Sequence, residues 1–332
     1  MKNICGMQYN LIEPKNLDLK KKYFARSSDD EILSKTLFTA ISPGTEVAAY
    51  IGARSLSGKY IYPRKQGYCN VSTVMEIGTE TSGFEIGDKI LTFASHQSHV
   101  VSTKSEILYK LAPDEVPEEV ACSYLYHLGY NAVLKSNVRP GSKVVIIGLG
   151  VLGLTAVEMS LIAGGQATAV SDLEHHSSLA KSFGAELTIN RSNAHTSTDI
   201  FDQFDVVILT TNTWEDFELA QKLCRVHGVI ACLGFPGRTS VPGNFNPLDS
   251  KYFYYKQLSI VAAGFSPKSP DERGFLRYNE IENIRYINHL IKSGNLNVKS
   301  IITDIIEYDQ LGGMYERLSN RKPNDLTFVL KW

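Results

Sequence analysis

A glycine-rich turn near the middle of the chain is the part of the sequence whose residues and spacing most clearly specify a chemistry. Residues 144–147 are apolar and β-branched, they lead into a G-x-G-x-x-G pattern, and helix-forming residues follow. In such a turn the first glycine permits the sharp bend, the second lets the backbone approach a pyrophosphate, and the third lets helix and strand pack closely. Amide groups at the helix N-terminus then face the phosphate oxygens. The pattern predicts a dinucleotide-binding site formed by Gly148, Leu149, Gly150, Val151, Leu152 and Gly153.

The residues that follow the second predicted strand, 167–170, bear on which dinucleotide binds. Asp172 can accept hydrogen bonds from the adenosine ribose hydroxyls and would repel the extra phosphate of NADP, which favours NAD. If the dinucleotide-binding pattern is instead aligned on the helical segment 179–185, Ser171 and not Asp172 falls at the position that carries the ribose-binding acid. The side chains that could then face a 2′-phosphate are His175, His176 and Ser177. The sequence thus predicts NAD or NADP as the cofactor, with NAD favoured.

Two later strand ends are expected to contact the nicotinamide half of the cofactor. Thr211 and Asn212 follow one predicted strand, and Gly234 and Phe235 follow the next. Ligands of open α/β sheets bind outside the carboxyl ends of the strands, so these four residues are placed with the cofactor-binding set.

The composition is that of an ordinary soluble protein with more than one core. The chain has 332 residues, of which 43% are hydrophobic and 21% charged, with a formal net charge of −1. This balance predicts a small-molecule substrate and no nucleic-acid partner. No apolar stretch approaches the roughly 18 residues of a membrane span and no signal-peptide core is present, so we expect a cytoplasmic protein without membrane contact. Five scattered cysteines without C-x-x-C spacing predict reduced thiols.

The sequence pattern divides the chain into two regions, the second of which contains the glycine turn. Short β-rich runs separated by Gly, Pro, Asn and Ser fill residues 34–110 and predict a β-barrel or sandwich. From residue 125 onward strands alternate with helices, which predicts a doubly wound parallel sheet. Its predicted strands are 144–147, 167–170, 205–210, 229–233 and 258–262. A helix over 281–291 and a strand over 326–330 follow, and we expect the last stretch to fold back onto the first domain.

Several motifs, taken in order, resemble those of the medium-chain dehydrogenases and reductases over nearly the whole chain. They are S-P-G-T-E at 42–46, G-Y at 67–68, F-E-I-G-D-K at 84–89, V-R-P-G-S-K-V at 138–144 and the glycine turn. The resemblance implies an α/β protein with a GroES-like β-barrel catalytic domain, residues 1–125 completed by 271–332, and a Rossmann domain, residues 126–270. It also implies an active site in the cleft between the domains. Residues 258–263 resemble the edge strand through which members form homodimers.

The sequence departs from this family at the positions that hold zinc in its metal-dependent members. Pro43, Tyr68 and Tyr124 stand where those members carry the three ligands, and the four cysteines of their structural zinc lobe are missing. Proline cannot ligate, and zinc prefers thiolate, imidazole or carboxylate to a phenol. A single Cys69 without a paired ligand is more typical of a buried thiol. We therefore predict no zinc at either site.

Without a metal, another group must polarise the carbonyl or take the hydroxyl proton during hydride transfer. A phenol or an imidazole can do this by hydrogen bonding to the developing oxyanion. We predict a relay of Tyr68 or Tyr124 with His127 and Glu46 around the substrate oxygen. The alternative is that the tyrosines fill the space left by zinc and His127 is a core histidine. His96 and His99 are expected to be loop histidines.

The predicted function is zinc-independent, NAD(P)-dependent interconversion of a secondary alcohol and a ketone, on a polar substrate of the sugar or cyclitol kind. One alternative is a quinone or enoyl reductase, since Tyr62-Pro63 resembles a motif of those zinc-free enzymes. Another is a dinucleotide-binding sensor without catalysis. The aromatic segment 252–256 is expected either to line the substrate cleft or to pack between domains or subunits.

Overall fold

The protein divides into two compact units in a computed structural model that describes residues 3–55, 58–238, 245–268, 273 and 275–332. Unit 1 comprises Met1–Tyr124 and Lys268–Trp332, and unit 2 comprises Leu125–Pro267. The boundaries predicted from the sequence, after residues 125 and 270, lie one and three residues from this division.

The regular elements are numbered here in chain order. The strands are β1 (Ile4–Glu13), β2 (Asn16–Phe24), β3 (Glu31–Ala40), β4 (Arg64–Lys65), β5 (Asn70–Ile77), β6 (Lys89–Thr92), β7 (His99–Thr103), β8 (Ile107–Lys110), β9 (Lys143–Ile147), β10 (Gln166–Ser171), β11 (Leu187–Asn190), β12 (Phe204–Leu209), β13 (Cys224–Cys232), β14 (Ser259–Ala262), β15 (Ile302–Glu307) and β16 (Thr327–Lys331). The α-helices are α1 (Pro43–Tyr50), α2 (Pro117–Val120), α3 (Ser123–Ser136), α4 (Val151–Ile162), α5 (Glu174–Phe183), α6 (Arg191–Thr196), α7 (Trp214–Leu223), α8 (Glu280–Lys292), α9 (Val298–Ile301) and α10 (Leu311–Ser319).

Unit 1 is built on two sheets. A 7-stranded sheet has the order β15-β16-β3-β5-β6-β8 with β7 also pairing β3, and a 3-stranded sheet has the order β2-β1-β4. The C-terminal strand β16 pairs antiparallel with β3, with Val329 opposite Ala40, which confirms the predicted return of the chain to the first domain. A core of Leu11, Ile41, Tyr315 and neighbours lies beside these sheets.

Strand β2 was not predicted, because its lysines look like a solvated turn. Lys20 and Lys21 are exposed on this strand, which lies at the edge of the 3-stranded sheet. Lysines on an edge strand discourage pairing with another chain, so the charge run is compatible with a strand at this position.

Unit 2 contains a 6-stranded sheet with the order β11-β10-β9-β12-β13-β14, and all of its pairs are parallel. This is the strand order of the doubly wound dinucleotide-binding fold. The five strands predicted from the sequence are all present. Val145, Ile147, Val207 and Leu209 are buried in its core, because a sheet covered on both faces needs nearly continuous apolar strands. Strand β11 was missed, since it is short, polar and partly exposed at the sheet edge.

Helix α8 was predicted and begins one residue earlier than expected. The side chain of Asn279 caps it by accepting a hydrogen bond from the Glu282 amide at 3.1 Å. The hydroxyl of Ser123, the first residue of α3, donates to the side chain of Asn288 at 2.7 Å. The Ser123–Asn288 contact places the third turn of α8 beside the start of α3. Among the described residues, no helix combines the length and apolar character that crossing a membrane requires.

Candidate active site

The glycine turn follows β9 directly and leads into α4. Gly148 has a φ of 90°, in the left-handed region that favours glycine. A Cβ atom at Gly153 would lie 1.9 Å from the Gly148 carbonyl oxygen, so this position also requires glycine. A Cβ atom at Gly150, by contrast, would meet no described atom within 4 Å. Space is therefore open at the one glycine that a pyrophosphate must approach.

The predicted nicotinamide-side residues come together beside this turn, where β9 and β12 adjoin and the strand order reverses. The Thr210 hydroxyl donates to the Gly148 carbonyl at 2.9 Å, and a Cβ atom at Gly234 would lie 2.3 Å from the Thr211 carbonyl oxygen. The amide of Phe235 donates to the Asn212 side chain at 3.3 Å.

One buried hydroxyl beside the glycine turn makes no hydrogen bond to the described residues. The Thr211 hydroxyl oxygen is buried and has no hydrogen-bond partner among the described residues. A buried hydroxyl of this kind is costly unless a ligand or a water satisfies it. With the open space at Gly150, it makes the carboxyl edge of the sheet fit a nicotinamide dinucleotide.

Ser171 and Asp172 differ in their surroundings at the end of β10. The Ser171 side chain is buried and accepts a hydrogen bond from the Leu173 amide at 3.0 Å, whereas Asp172 is exposed. His176 is buried, and burial lowers its pKa, which disfavours the charged imidazolium that would pair with a 2′-phosphate. Both assignments of the acid position therefore stay open at this strand end.

Three aromatic rings of unit 1 form a cluster that contains two of the predicted catalytic residues. The ring centroids of Tyr68 and Tyr124 are 5.5 Å apart at an interplanar angle of 87°. Phe93 packs edge-on against Tyr124 at 4.7 Å and lies 6.4 Å from Tyr68. The structure thus places side by side the two tyrosines that are alternatives in the predicted relay. Phe93 was not singled out from the sequence as a site residue, and it directly follows strand β6.

The two phenols of this aromatic cluster have different hydrogen-bond partners. Tyr68 donates to the hydroxyl of Ser42, and Tyr124 donates to a carboxylate oxygen of Glu280 at 3.2 Å. Burial raises the pKa of both tyrosines well above the usual value for a phenol. Both hydroxyls are therefore protonated at neutral pH and act as hydrogen-bond donors.

Glu46 lies in a buried polar network and contacts Tyr68 only through Ser42. The Ser42 amide donates to one Glu46 carboxylate oxygen at 2.7 Å, and the other oxygen faces the His96 ring at 2.8 Å and the Tyr315 hydroxyl. The second ring nitrogen of His96 contacts Thr39 at 2.8 Å. This differs from the predicted relay, in which Glu46 faces the substrate oxygen, because its two oxygens are already used by three donors.

The two histidines expected in loops differ in their placement. His96 does lie in a loop but is fully buried, and a Cβ atom at Gly67 would lie 2.6 Å from its ring. Gly67 has a φ of 86°, so this glycine both permits the turn before Tyr68 and leaves room for the imidazole. His99 is the first residue of strand β7, so its placement in a loop was wrong.

His127 follows Tyr124 by one turn on α3 and is fully buried. Burial lowers its pKa to about 4, so the imidazole is neutral at physiological pH. A neutral imidazole is compatible with either the predicted relay or a core position, and its catalytic role stays a prediction.

The residues at the zinc positions of the related enzymes do not suit a metal. Pro43 has no ligand atom, and the hydroxyls of Tyr68 and Tyr124 are protonated and already bound to protein. Cys69 is buried, and burial raises the pKa of its thiol well above the usual range. No group of three or more His, Cys, Asp or Glu side chains in the described parts of the chain is placed to hold a metal ion.

The aromatic segment 252–256 lies away from the glycine turn. Its Lys256 ammonium donates to the Cys224 carbonyl at 2.9 Å and pairs with Asp202 at 2.6 Å, both at the amino ends of β13 and β12. The glycine turn is at the carboxyl ends of the same sheet. Of the two alternatives for this segment, lining the substrate cleft is therefore not supported, because the connection into β14 returns along the edge of the sheet opposite the glycine turn.

Comparison with known proteins gives concordant results. Residues 151–277 match a family model described as zinc-binding dehydrogenase. An uncharacterised zinc-type alcohol dehydrogenase-like protein of Haemophilus influenzae is 22% identical over 98% of this chain and 97% of its own. D-guloside 3-dehydrogenase of Escherichia coli is 21% identical, over 76% of this chain and 73% of its own.

A solved structure confirms the predicted fold class. A putative zinc-binding dehydrogenase of Sinorhizobium meliloti, crystallised with NADP, aligns with a TM-score of 0.81 at 16% identity, over 99% of this chain and 100% of that one. At this identity the likeness shows a shared fold, a catalytic β-domain with a Rossmann domain.

Proposed function

We propose that the chain is a zinc-independent member of the medium-chain dehydrogenase/reductase superfamily that interconverts a secondary alcohol and a ketone. The observation that carries the proposal is the pair of neutral phenols, Tyr68 and Tyr124, at positions where zinc-dependent relatives hold metal ligands. A half-buried, protonated phenol can donate a hydrogen bond to a developing oxyanion, whose charge a metal ion would stabilise in zinc-dependent relatives.

The cofactor of the proposed reaction is NAD or NADP, which takes up or supplies the hydride when bound. The glycine turn would hold the pyrophosphate at the open backbone of Gly150 and at the amides that begin α4. Thr211 and Asn212 would hold the nicotinamide end, where the cofactor could supply a partner for the buried Thr211 hydroxyl. NAD is favoured because Asp172 suits a ribose hydroxyl better than a phosphate.

Tyr68 is the proposed donor to the substrate oxygen, and its neighbours orient it. The Tyr68 hydroxyl donates its one proton to Ser42, so donation to the substrate oxygen requires this hydroxyl to rotate, with Ser42 then donating to the Tyr68 oxygen. The backbone amide of Ser42 donates to a Glu46 carboxylate oxygen, which fixes Ser42 in place. The contacts of Glu46 with His96 and Tyr315 fix the carboxylate in turn. Glu46 is thus proposed as a positioning residue for Tyr68.

The proposed substrates are polyols or sugar derivatives with a secondary hydroxyl. The relative that acts on a guloside, D-guloside 3-dehydrogenase, supports this class. The polar cluster of phenols and the Glu280 carboxylate suits a substrate that carries several hydroxyl groups.

The experiment is a panel of polyols, glycosides and simple secondary alcohols, assayed with NAD and with NADP by the absorbance of the reduced nicotinamide. The proposal expects reduced cofactor to form with one or more polyhydroxylated substrates. Turnover confined to enones or quinones would support the reductase alternative. Tight nucleotide binding without turnover of any substrate in either direction would support the sensor alternative.

A further inference from the structure

Glu280 is a buried carboxylate beside the aromatic cluster that the sequence motifs do not mark. It is 6% exposed and accepts the Tyr124 hydroxyl hydrogen bond at 3.2 Å. Its position is fixed, because Asn279 caps the helix that Glu280 begins and Ser123 binds Asn288, about two turns further along that helix. A carboxylate held this way in contact with a phenol is a candidate for chemistry as well as for structure.

The surroundings of Glu280 raise its pKa through burial and lower it through two neighbouring groups, with a net rise. Burial is the main cause that raises its pKa, while the Tyr124 hydrogen bond and the positive charge of Lys268 act in the opposite direction. The elements packed against α8 carry further titratable groups, Tyr109 and Lys110 on β8 and Glu118 and Glu119 on α2.

The other phenol of the cluster has no comparable base. Tyr68 donates to Ser42, a hydroxyl that cannot take up an additional proton at neutral pH, and the Glu46 oxygens are used by three other donors. Tyr124 is therefore the phenol of this cluster with a carboxylate in direct contact.

We propose that Tyr124 and Glu280 form a proton relay, in which Glu280 accepts the proton that the substrate hydroxyl releases through Tyr124. This inference rests on the proposed dehydrogenase function and names the residue that receives the proton. Tyr124 contacts the substrate oxygen together with its neighbour Tyr68, and Glu280 acts through Tyr124.

The proposed step balances as follows in the direction of alcohol oxidation. The substrate O–H bond breaks and its proton passes to the Tyr124 oxygen, while the Tyr124 proton passes to the Glu280 carboxylate. The C–H bond breaks with both electrons leaving as hydride to the nicotinamide, and the C=O bond forms. The substrate is oxidised, the cofactor is reduced, and Glu280 ends as a carboxylic acid that later returns the proton to water. Ketone reduction runs the same transfers in reverse.

The relay explains how a phenol can serve this reaction at neutral pH. Because burial raises the pKa of Tyr124, the hydroxyl does not ionise by itself and cannot act as a free base. Passing one proton on while taking another leaves the phenol neutral before and after the step.

The kinetic test compares Glu280→Gln with Glu282→Gln, a matched change two residues along the same helix. Glu280→Gln is expected to lower kcat for alcohol oxidation about 100-fold, the usual range for loss of a general base, with little change in the KM for cofactor. The unmodified protein should lose rate as the pH falls through the raised pKa of Glu280, since the carboxylate must be ionised, and Glu280→Gln should lack this limb. Glu282→Gln should behave as the unmodified protein does.

A double variant tests whether the two residues act as a unit. Tyr124→Phe and Glu280→Gln should each cost about the same factor, and the double variant should cost little more than either one. The relay would be overturned if the kcat losses of the two single variants multiplied in the double variant. It would also be overturned if Glu280→Gln kept the fall in rate at low pH. Either result leaves the dehydrogenase proposal in place.

A spectroscopic measurement separates the relay from the proposed function. With tyrosine labelled at the ring carbon that bears oxygen, the Tyr124 signal is assigned by its loss in Tyr124→Phe. It should shift with pH as Glu280 titrates, and this step should vanish in Glu280→Gln and persist in Glu282→Gln. Absence of the step in the unmodified protein overturns the coupling itself. If the step is present but no alcohol is oxidised, the proposed function fails and the Tyr124–Glu280 pair remains.

Discussion

At the scale of single residues, the properties of this site come from burial more than from residue type. Tyr68 and Tyr124 are chemically the same, but one donates to a hydroxyl and the other to a carboxylate. Cys69 has the right chemistry for a metal ligand, but burial keeps it a thiol. Residue types therefore identified candidates, and their surroundings assign them different roles.

Tyr68→Phe is expected to slow hydride transfer while leaving cofactor binding nearly intact, because it removes one hydroxyl and little packing. A donor to a developing oxyanion contributes about 2.7–4 kcal/mol, so kcat should fall roughly 100-fold to 1000-fold. Steady-state rates and cofactor titration check this, with Tyr60→Phe as the matched control. Full turnover by Tyr68→Phe would mean that this residue only fills space and that Tyr124 is the donor.

Asp172→Ala is expected to weaken NAD binding and narrow the preference over NADP. Loss of the carboxylate–ribose hydrogen bonds should cost roughly 1.5–3 kcal/mol, about tenfold to 150-fold in affinity. Fluorescence titration of NADH and NADPH measures both constants, and Ser171→Ala provides the comparison. Stronger binding of NADPH by the unmodified protein would place Ser171 at the acid position.

At the scale of elements, local patterns were predictable and contacts between distant segments were not. The strand, turn and helix around Gly148 were read correctly because apolar runs and glycines act within a few residues. The Glu46 network joins residues 50 and 269 positions apart, and the Tyr124–Glu280 contact joins residues 156 apart. No periodicity in the sequence encodes such pairs, so His96, Tyr315 and Glu280 became candidates only in the folded chain.

His96→Ala is expected to destabilise unit 1, because it removes a partner from the buried Glu46 carboxylate. An unsatisfied buried group costs about 1–3 kcal/mol, and more when it is charged. Urea unfolding measures the change in the free energy of unfolding, with the exposed His175→Ala as a control that should change it little. Equal stability of the two variants would show that the Glu46–His96 contact contributes nothing measurable.

At the scale of the whole molecule, we propose a homodimer formed through β14. This strand is the edge of the 6-stranded sheet, and Ser259 and Ala262 on it are exposed. In a two-fold interface the same strand meets its own copy, so one substitution places like charges on both sides.

Ala262→Glu should therefore shift the mass measured by light scattering from dimer towards monomer. Leu187→Glu, on the opposite edge strand β11, should leave the mass unchanged. A monomeric unmodified protein, or dissociation by both variants alike, would argue against this interface.

The most direct test of zinc independence is the rate of reduced-cofactor formation by protein of known metal content, with its preferred polyol, before and after treatment with a strong chelator. The donor set around Pro43, Tyr68 and Tyr124 predicts substoichiometric zinc and the same rate in both samples. Stoichiometric zinc, with activity lost on chelation and restored by added zinc, would contradict the account.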